Sequence, residues 1–316
     1  MTARIDASTK QACAPEEVVL RNVFREVPRW RNSEIVCERV SGGISNSNWR
    51  VTIVDQQRNV FVKIPGKGTE MFVNRQASNE AARKAHAAGL GPEVIHFDAA
   101  SGVEISEFLD GYRPSTNVDF LDPILRQKVV SIYRELHRNE KLVLTKTIFD
   151  MIDEHFRQLD EVRGNTPGDF PWLQRQYSNV KQAFAASGLD IVPCFNDPMP
   201  GNFLIGKTGE VKLVDYEFAS NNERHFDLGV WFGEMFFSEN VSFALIEDYF
   251  GAVTPQNTAR VFAMRALADL KWACWSMVQQ RVSALDFDYY KYGTWKFIRA
   301  RALMHDSRWS MWLRNI

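Results

Sequence analysis

The apolar residues change their rhythm along the chain, and the change divides it into two regions. From Glu34 to Asp110 they fall in short alternating runs: IVCERV, the turn SGG, NWRVTIV, the polar QQRN, then VFVKI. Period-two alternation broken by turn residues predicts an antiparallel meander. One Ala-rich stretch, NRQASNEAARKAHAAG, interrupts it with helical spacing, where Asn74 suits the N-cap and Gly89 the end. Two more strands are expected near VIHF and VEISEF. After Asp110-Gly111 the spacing turns helical: Leu121, Leu125, Val129, Ile132 and Leu136 form one stripe, with Pro123 in the first turn. Short strands return between Val192 and Leu213, in IVPC, NFLIG and EVKLV, and long helices then run from about Phe226 to Met304. The pattern predicts an α+β protein of two lobes. Residues 1–30 form an extension and helix, 31–110 a small antiparallel-sheet lobe, and 111–316 a larger, mainly helical lobe.

Charge and cysteine usage narrow the function classes. With 38 Lys plus Arg against 39 Asp plus Glu there is no positive field to gather nucleic acid or an anionic membrane. No stretch has the length and apolarity of a signal peptide or membrane span, so a cytoplasmic protein without membrane insertion is expected. Cys13, Cys37, Cys194 and Cys274 lie far apart with no C-x-x-C pair, which argues against zinc ligation or a disulfide framework.

The candidate chemistry concentrates in the strand-rich interruption of the second region. Phe195-Asn196-Asp197-Pro198-Met199-Pro200-Gly201-Asn202 contains Asp-x-x-x-x-Asn, and Leu213-Val214-Asp215-Tyr216-Glu217 follows on the next strand. Phosphoryl transfer needs a carboxylate that orients the acceptor hydroxyl and takes its proton, plus oxygen ligands that hold Mg²⁺ against nucleotide phosphates. Asp197 fits the first role, and Asn202 and Asp215 the second. An isolated D-x-x-x-x-N beside Pro and Gly is more often an ordinary turn; the flanking strands and Asp215 favour the catalytic reading.

Two upstream features agree with it. The run Ser41 to Asn48, SGGISNSN, places glycines between two strands, where backbone N–H groups can approach phosphates, although such a pair is in most proteins only a turn. Lys63, in VFVKIPG, alternates with apolar neighbours and could hold phosphates. Glu80, on the following helix, is then expected to pair with Lys63, the alternative being a solvated helix face.

Taken in order, GGISNSN, VFVKIPG, NRQASNEAARKAHAAGLGPEV, CFNDPMPGNFLI, LVDYEFAS, HFDLG and KWACWSMVQQRVSALDFDYYKY resemble the choline/ethanolamine kinase family over roughly residues 35–300. The resemblance implies the aminoglycoside-phosphotransferase variant of the protein-kinase-like fold, with ATP as co-substrate and Mg²⁺ as metal. It implies that Asp197 is the catalytic base, that Asn202 and Asp215 are metal ligands, and that Ser45, Asn46, Lys63 and Glu80 serve the nucleotide. EFLDG would carry the inter-lobe hinge, and Asp227 would brace the catalytic loop, though it could also be a helix N-cap. The family usually has His where this chain has Phe195. That departure keeps open a pseudokinase that binds ligand without turnover.

Trp272, Trp275 and Gln279 share one helix face by spacing, and Tyr292 lies on the next helical stretch. Spacing alone favours core packing for such tryptophans. The resemblance implies instead that Trp272, Trp275, Gln279 and Tyr292 border the acceptor pocket, with Glu234 facing the ammonium of a cationic alcohol, choline or ethanolamine. Aromatic faces and a carboxylate suit a quaternary ammonium, which donates no hydrogen bond. Glu239 stands where the family often has tyrosine, so a more acidic pocket is expected. An aminoglycoside phosphotransferase is the further alternative; its polycationic acceptor would call for more carboxylates than aromatics.

Overall fold

The computed structural model describes residues 2–5, 15–40, 46–66, 68–283 and 285–316. The first lobe is built on β1 (Thr2–Ile5), β2 (Ile35–Val40), β3 (Asn46–Ile53), β4 (Arg58–Pro65), β5 (Val94–Phe97) and β6 (Glu104–Glu107). They form one sheet in the order β1-β2-β3-β4-β6-β5, with every neighbouring pair antiparallel. Alternation puts Val51, Ile53, Val60, Val62 and Ile105 fully inside, clustered with Leu20, Val23 and Phe24 of helix α1 (Pro15–Glu26) and with Val27 and Trp30 just after it. A one-sided apolar sheet must be covered, and α1 covers it. The segment expected as an extension is therefore part of this lobe, adding an edge strand and a share of its core.

Helix α2 (Arg75–Ala87) starts as expected, with Asn74 Oδ1 accepting from Ala77 N at 3.0 Å, and it is followed by Gly89 at φ +74°. Its Ala81, Ala82 and Ala85 join the core of the second lobe.

The second lobe contains β7 (Arg113–Pro114), α3 (Pro123–Arg138), α4 (Ile148–Val162), α5 (Phe170–Ser187), β8 (Ile191–Cys194), β9 (Phe203–Ile205), β10 (Val211–Leu213) and β11 (Ser220–Glu223). Helices α6 (Arg224–Glu234), α7 (Glu239–Phe250), α8 (Pro255–Val282), α9 (Tyr289–Met304) and α10 (Trp309–Asn315) complete it. The strands pair as β10-β9-β7 and β11-β8. Asp122 caps α3 with Pro123 in its first turn, and Leu125, Val129, Ile132 and Leu136 are buried, whereas Leu121 precedes the helix and is exposed. Strand β11 was not expected: Ser-Asn-Asn-Glu is polar throughout, yet all four residues are buried. Helix α8 is buried almost all round from Ala259 to Val278 and packs on α4, α6, α9 and α10. Cys37, Cys194 and Cys274 are buried free thiols. No helix among the described residues is long and apolar enough to cross a membrane. The architecture is α+β and two-lobed.

Candidate active site

The loop after β8 is pinned from beneath. Asp227, in the first turn of α6 and fully buried, accepts the backbone N–H of Phe195 at 2.7 Å and that of Asn196 at 2.6 Å. His137 Nε2 donates to the same carboxylate at 3.0 Å, and His137 Nδ1 lies 2.6 Å from the Tyr249 hydroxyl. Asp227 is thus a loop brace; the N-cap position of α6 belongs to Glu223. Asn196 takes the left-handed conformation, φ +67°, and its amide donates to Phe218 O at 2.8 Å and Ser220 Oγ at 2.9 Å, while its oxygen accepts from Asn222 at 2.9 Å. These bonds satisfy the polar β11 and fix the backbone on which Asp197 stands. Asn202 Nδ2 donates to the Asp197 carbonyl at 2.9 Å, which folds the D-x-x-x-x-N turn back on itself.

Phe195 is fully buried, edge-on to Tyr216 at 5.3 Å and to Phe203 at 6.4 Å between ring centroids. Its side chain packs, and its backbone N–H carries the polar anchor, so the loop geometry does not depend on an imidazole at this position. Asp197 is pushed up to about 7, chiefly by burial, with the carboxylates of Asp215, Glu234 and Glu217 adding to the rise and Lys271 opposing it.

A second cluster of charges joins the lobes. Lys63 Nζ lies 3.3 Å from Asp215 Oδ1 and 3.2 Å from Glu217 Oε1. Asn46 Nδ2 donates to the same Glu217 oxygen at 2.8 Å, and Asn46 Oδ1 accepts from Gly66 N at 3.3 Å. Burial alone would depress the Lys63 ammonium; Glu217, Asp215 and Glu104 overcome it and hold its pKa above the ordinary lysine value. Burial raises Glu217, and Lys63 opposes that rise.

Glu80 does not meet Lys63. It pairs with Lys84 Nζ at 3.0 Å, one turn along α2, and accepts from Val143 N at 3.0 Å. The cause is helix phase: Ala77, Ser78, Ala81, Ala82 and Ala85 form the buried face of α2, which turns Glu80 toward the segment after α3. Ser45 lies outside the described residues.

Of the residues expected to border the acceptor, Trp272 and Trp275 meet edge to face at 5.4 Å, and Trp275 contacts Tyr292 at 6.4 Å and Tyr289 at 5.9 Å. Both indoles belong to the core, and Gln279, one turn beyond Trp275, is half-buried. The aromatic faces expected for a substrate cation are covered by the chain itself. Lys271 Nζ stands 3.0 Å from the centroid of Trp272 and 4.4 Å from that of Phe218, and Lys296 Nζ 5.3 Å from that of Tyr292.

Glu234 differs from expectation in the same way: its Oε1 binds Lys296 Nζ, with Arg299 at 3.9 Å. Asp269 pairs with Arg299 at 3.0 Å and lies 3.7 Å from Lys296. Glu239 adds no free charge, because Arg308 binds it through two nitrogens at 2.5 and 3.0 Å and holds its carboxyl below the usual range. Carboxylates buried or half-buried among helices that carry basic residues pair with them.

A family model described as choline/ethanolamine kinase matches residues 37–250. The chain belongs to the choline/ethanolamine kinase family. It is a phosphotransferase that acts on an alcohol. It is similar to a probable ethanolamine kinase of Arabidopsis thaliana, 23% identical over 303 residues that cover 86% of this chain and 80% of that one. It also superposes on a solved choline/ethanolamine kinase family protein of Mesorhizobium loti, with TM-score 0.81 and 28% identity over 95% of this chain and 98% of that one. The spectinomycin phosphotransferase APH(9)-Ia shares the fold alone, at TM-score 0.62 and 12% identity over 93% and 99% of the two chains.

For this choline/ethanolamine kinase family member, sequence reasoning missed Glu217, Lys271, Asp269 and Lys296. Glu217 stood inside the quoted motif without a role. Lys271 and Lys296 carried a usable signal: each is a lone lysine among apolar residues, in DLKWAC and TWKFI, where the helical pattern calls for a core side chain.

Proposed function

We propose that this protein transfers the γ-phosphate of ATP, as its Mg²⁺ complex, to the hydroxyl of a small amino-alcohol. The observation that carries the reading is the convergence of Asp197, Asn202, Asp215 and Glu217 on one loop-and-strand unit, with Lys63 brought to it from the other lobe. The nucleotide would lie between residues 31–110 and 111–316. Asn202, Asp215 and Glu217 offer hard oxygen donors of the kind Mg²⁺ prefers and would hold it. When bound, the metal neutralises charge on the phosphate oxygens. Asp197 orients the acceptor hydroxyl; as its oxygen bonds to the γ-phosphorus, the bond to the bridging oxygen breaks, ADP leaves with that electron pair, and the proton passes to Asp197. An enzyme that spends ATP in this way fits the cytoplasm.

Of the two acceptors first considered, ethanolamine suits the pocket better than choline. A trimethylammonium group depends on bare aromatic faces, and Trp272 and Tyr292 already carry the ammonium groups of Lys271 and Lys296. A coupled assay with Mg-ATP against ethanolamine, choline and an aminoglycoside tests the reading. Phosphorylation of the amino-alcohol is expected, at higher kcat/KM for ethanolamine. Nucleotide binding without turnover on any acceptor would establish a pseudokinase instead.

A further inference from the structure

A cavity of about 140 Å³ opens beside Glu217 and Phe218, bounded also by Lys271, Lys146, Glu154 and His155. The charges on its walls are settled with one exception. Lys146 is bound to Glu154, and Glu217 to Lys63. His155 Nδ1 is paired with Gln158 at 2.8 Å, and the ring is kept neutral, pushed down to about 3 by burial and then by Lys271. Lys271 is 1% exposed, and its Nζ makes no hydrogen bond among the described residues. Asp197 reaches it only electrostatically, and Lys296 is committed to Glu234 and Asp269. The ring of Trp272 offsets part of the ammonium charge but accepts none of its three N–H donors in the plane a lone pair would. A buried donor without an acceptor is costly, and the group that relieves the cost is an anionic oxygen.

We propose that Lys271 contacts the acceptor substrate and binds an anionic oxygen group on it, so that the preferred acceptor is an amino-alcohol that also carries a carboxylate. The inference rests on the amino-alcohol kinase reading and narrows it. Among the described residues a purely cationic acceptor meets no unpaired carboxylate here except the base Asp197, since Glu234 and Asp269 are matched by Lys296 and Arg299. A carboxylate-bearing acceptor meets the Lys271 nitrogen, which has no hydrogen-bond partner among the described residues. Burial holds the Lys271 ammonium well below the ordinary lysine value, and an anion brought beside it restores the charge. The γ-phosphate is the other anionic oxygen within the site, but its lysine is Lys63, on the wall formed by Asp215 and Glu217, whereas Lys271 sits among the rings of α8 and Phe218.

The test uses acceptors that differ by one group: L-serine is ethanolamine with a carboxylate added, and L-homoserine is one carbon longer. Wild type is expected to show at least about tenfold higher kcat/KM for one of the two carboxylate-bearing acceptors than for ethanolamine. Lys271→Met should collapse that ratio at least about tenfold, and Lys271→Arg should retain more of it. Lys271→Gln serves if the Met variant fails to fold. A wild type that prefers ethanolamine or choline, with a ratio unmoved in Lys271→Met, overturns the proposal. A KM for ATP raised equally with every acceptor in Lys271→Met would place the lysine on the nucleotide phosphate and overturn it as well. If nothing is turned over, the kinase reading fails, and calorimetric titration of serine against ethanolamine into wild type and Lys271→Met still decides the role of Lys271: equal affinities refute it.

Discussion

The carboxylate of Asp227 receives the backbone N–H of Phe195 at 2.7 Å, so the residue beside the D-x-x-x-x-N turn is held through its main chain. With the neighbouring Asn196 N–H and His137 on the same carboxylate, Asp227→Asn removes charge from a fully buried acceptor of three bonds. A loss of about 1.5–3 kcal/mol in urea unfolding is expected, with a fall in kcat as the loop loosens. Phe195→His should leave kcat within about tenfold of wild type, because the anchor is main-chain, whereas Phe195→Ala empties a core site and should cost about 3–5 kcal/mol. A His variant that gains several orders of magnitude in kcat would show that the imidazole was missing after all.

Lys63 and Glu80 separate cleanly. Lys63→Met removes the ammonium shared by Asp215 and Glu217 and should raise the KM for ATP at least about tenfold. Glu80→Gln touches only the Lys84 pair and the Val143 N–H, so the same KM should move by less than about threefold. Equal effects of the two substitutions would restore the Lys63–Glu80 pairing that the sequence suggested.

Asp197 sets a pH dependence with opposite signs in activity and stability. The proposed base works only when ionised, so kcat/KM for the acceptor should climb about tenfold per pH unit below about 7 and level off above it. In unfolded chain the same carboxyl releases its proton near its ordinary value of 3.8. Between those values the folded protein holds the extra proton, and this group's contribution to stability falls as pH rises from about 4 to 7. Asp197→Asn should remove that pH-dependent loss, which denaturant titrations of both proteins at pH 5 and pH 8 would show.

Strands β2 to β6 of the first lobe and helix α2 were legible because one-sided burial writes a period into the sequence: alternation in IVCERV and VFVKI, and Asn74 and Gly89 at the ends of the helix; the edge strand β1 was not. Strand β11 was not legible, since Ser220 to Glu223 are buried by virtue of side-chain amide bonds and carry no apolar period. Which residues meet across the lobes was harder still. Lys63 lies 152 positions from Asp215, and the choice between Glu80 and Glu217 as its partner depends on helix phase relative to the sheet, which strand and helix patterns do not specify. The aromatic stripe of α8 was visible, but whether its faces were open depended on Lys271 and Lys296, whose direction only packing decides.

Steady-state kinetics of Asp197→Asn with Mg-ATP and the best acceptor test most directly the proposal that Asp197 takes the proton in phosphoryl transfer to an alcohol. A fall in kcat of at least about 10²-fold is expected with the KM for ATP little changed, because the base acts on the acceptor and not on the nucleotide. A correctly folded Asp197→Asn protein that turns over at a rate near wild type would contradict it.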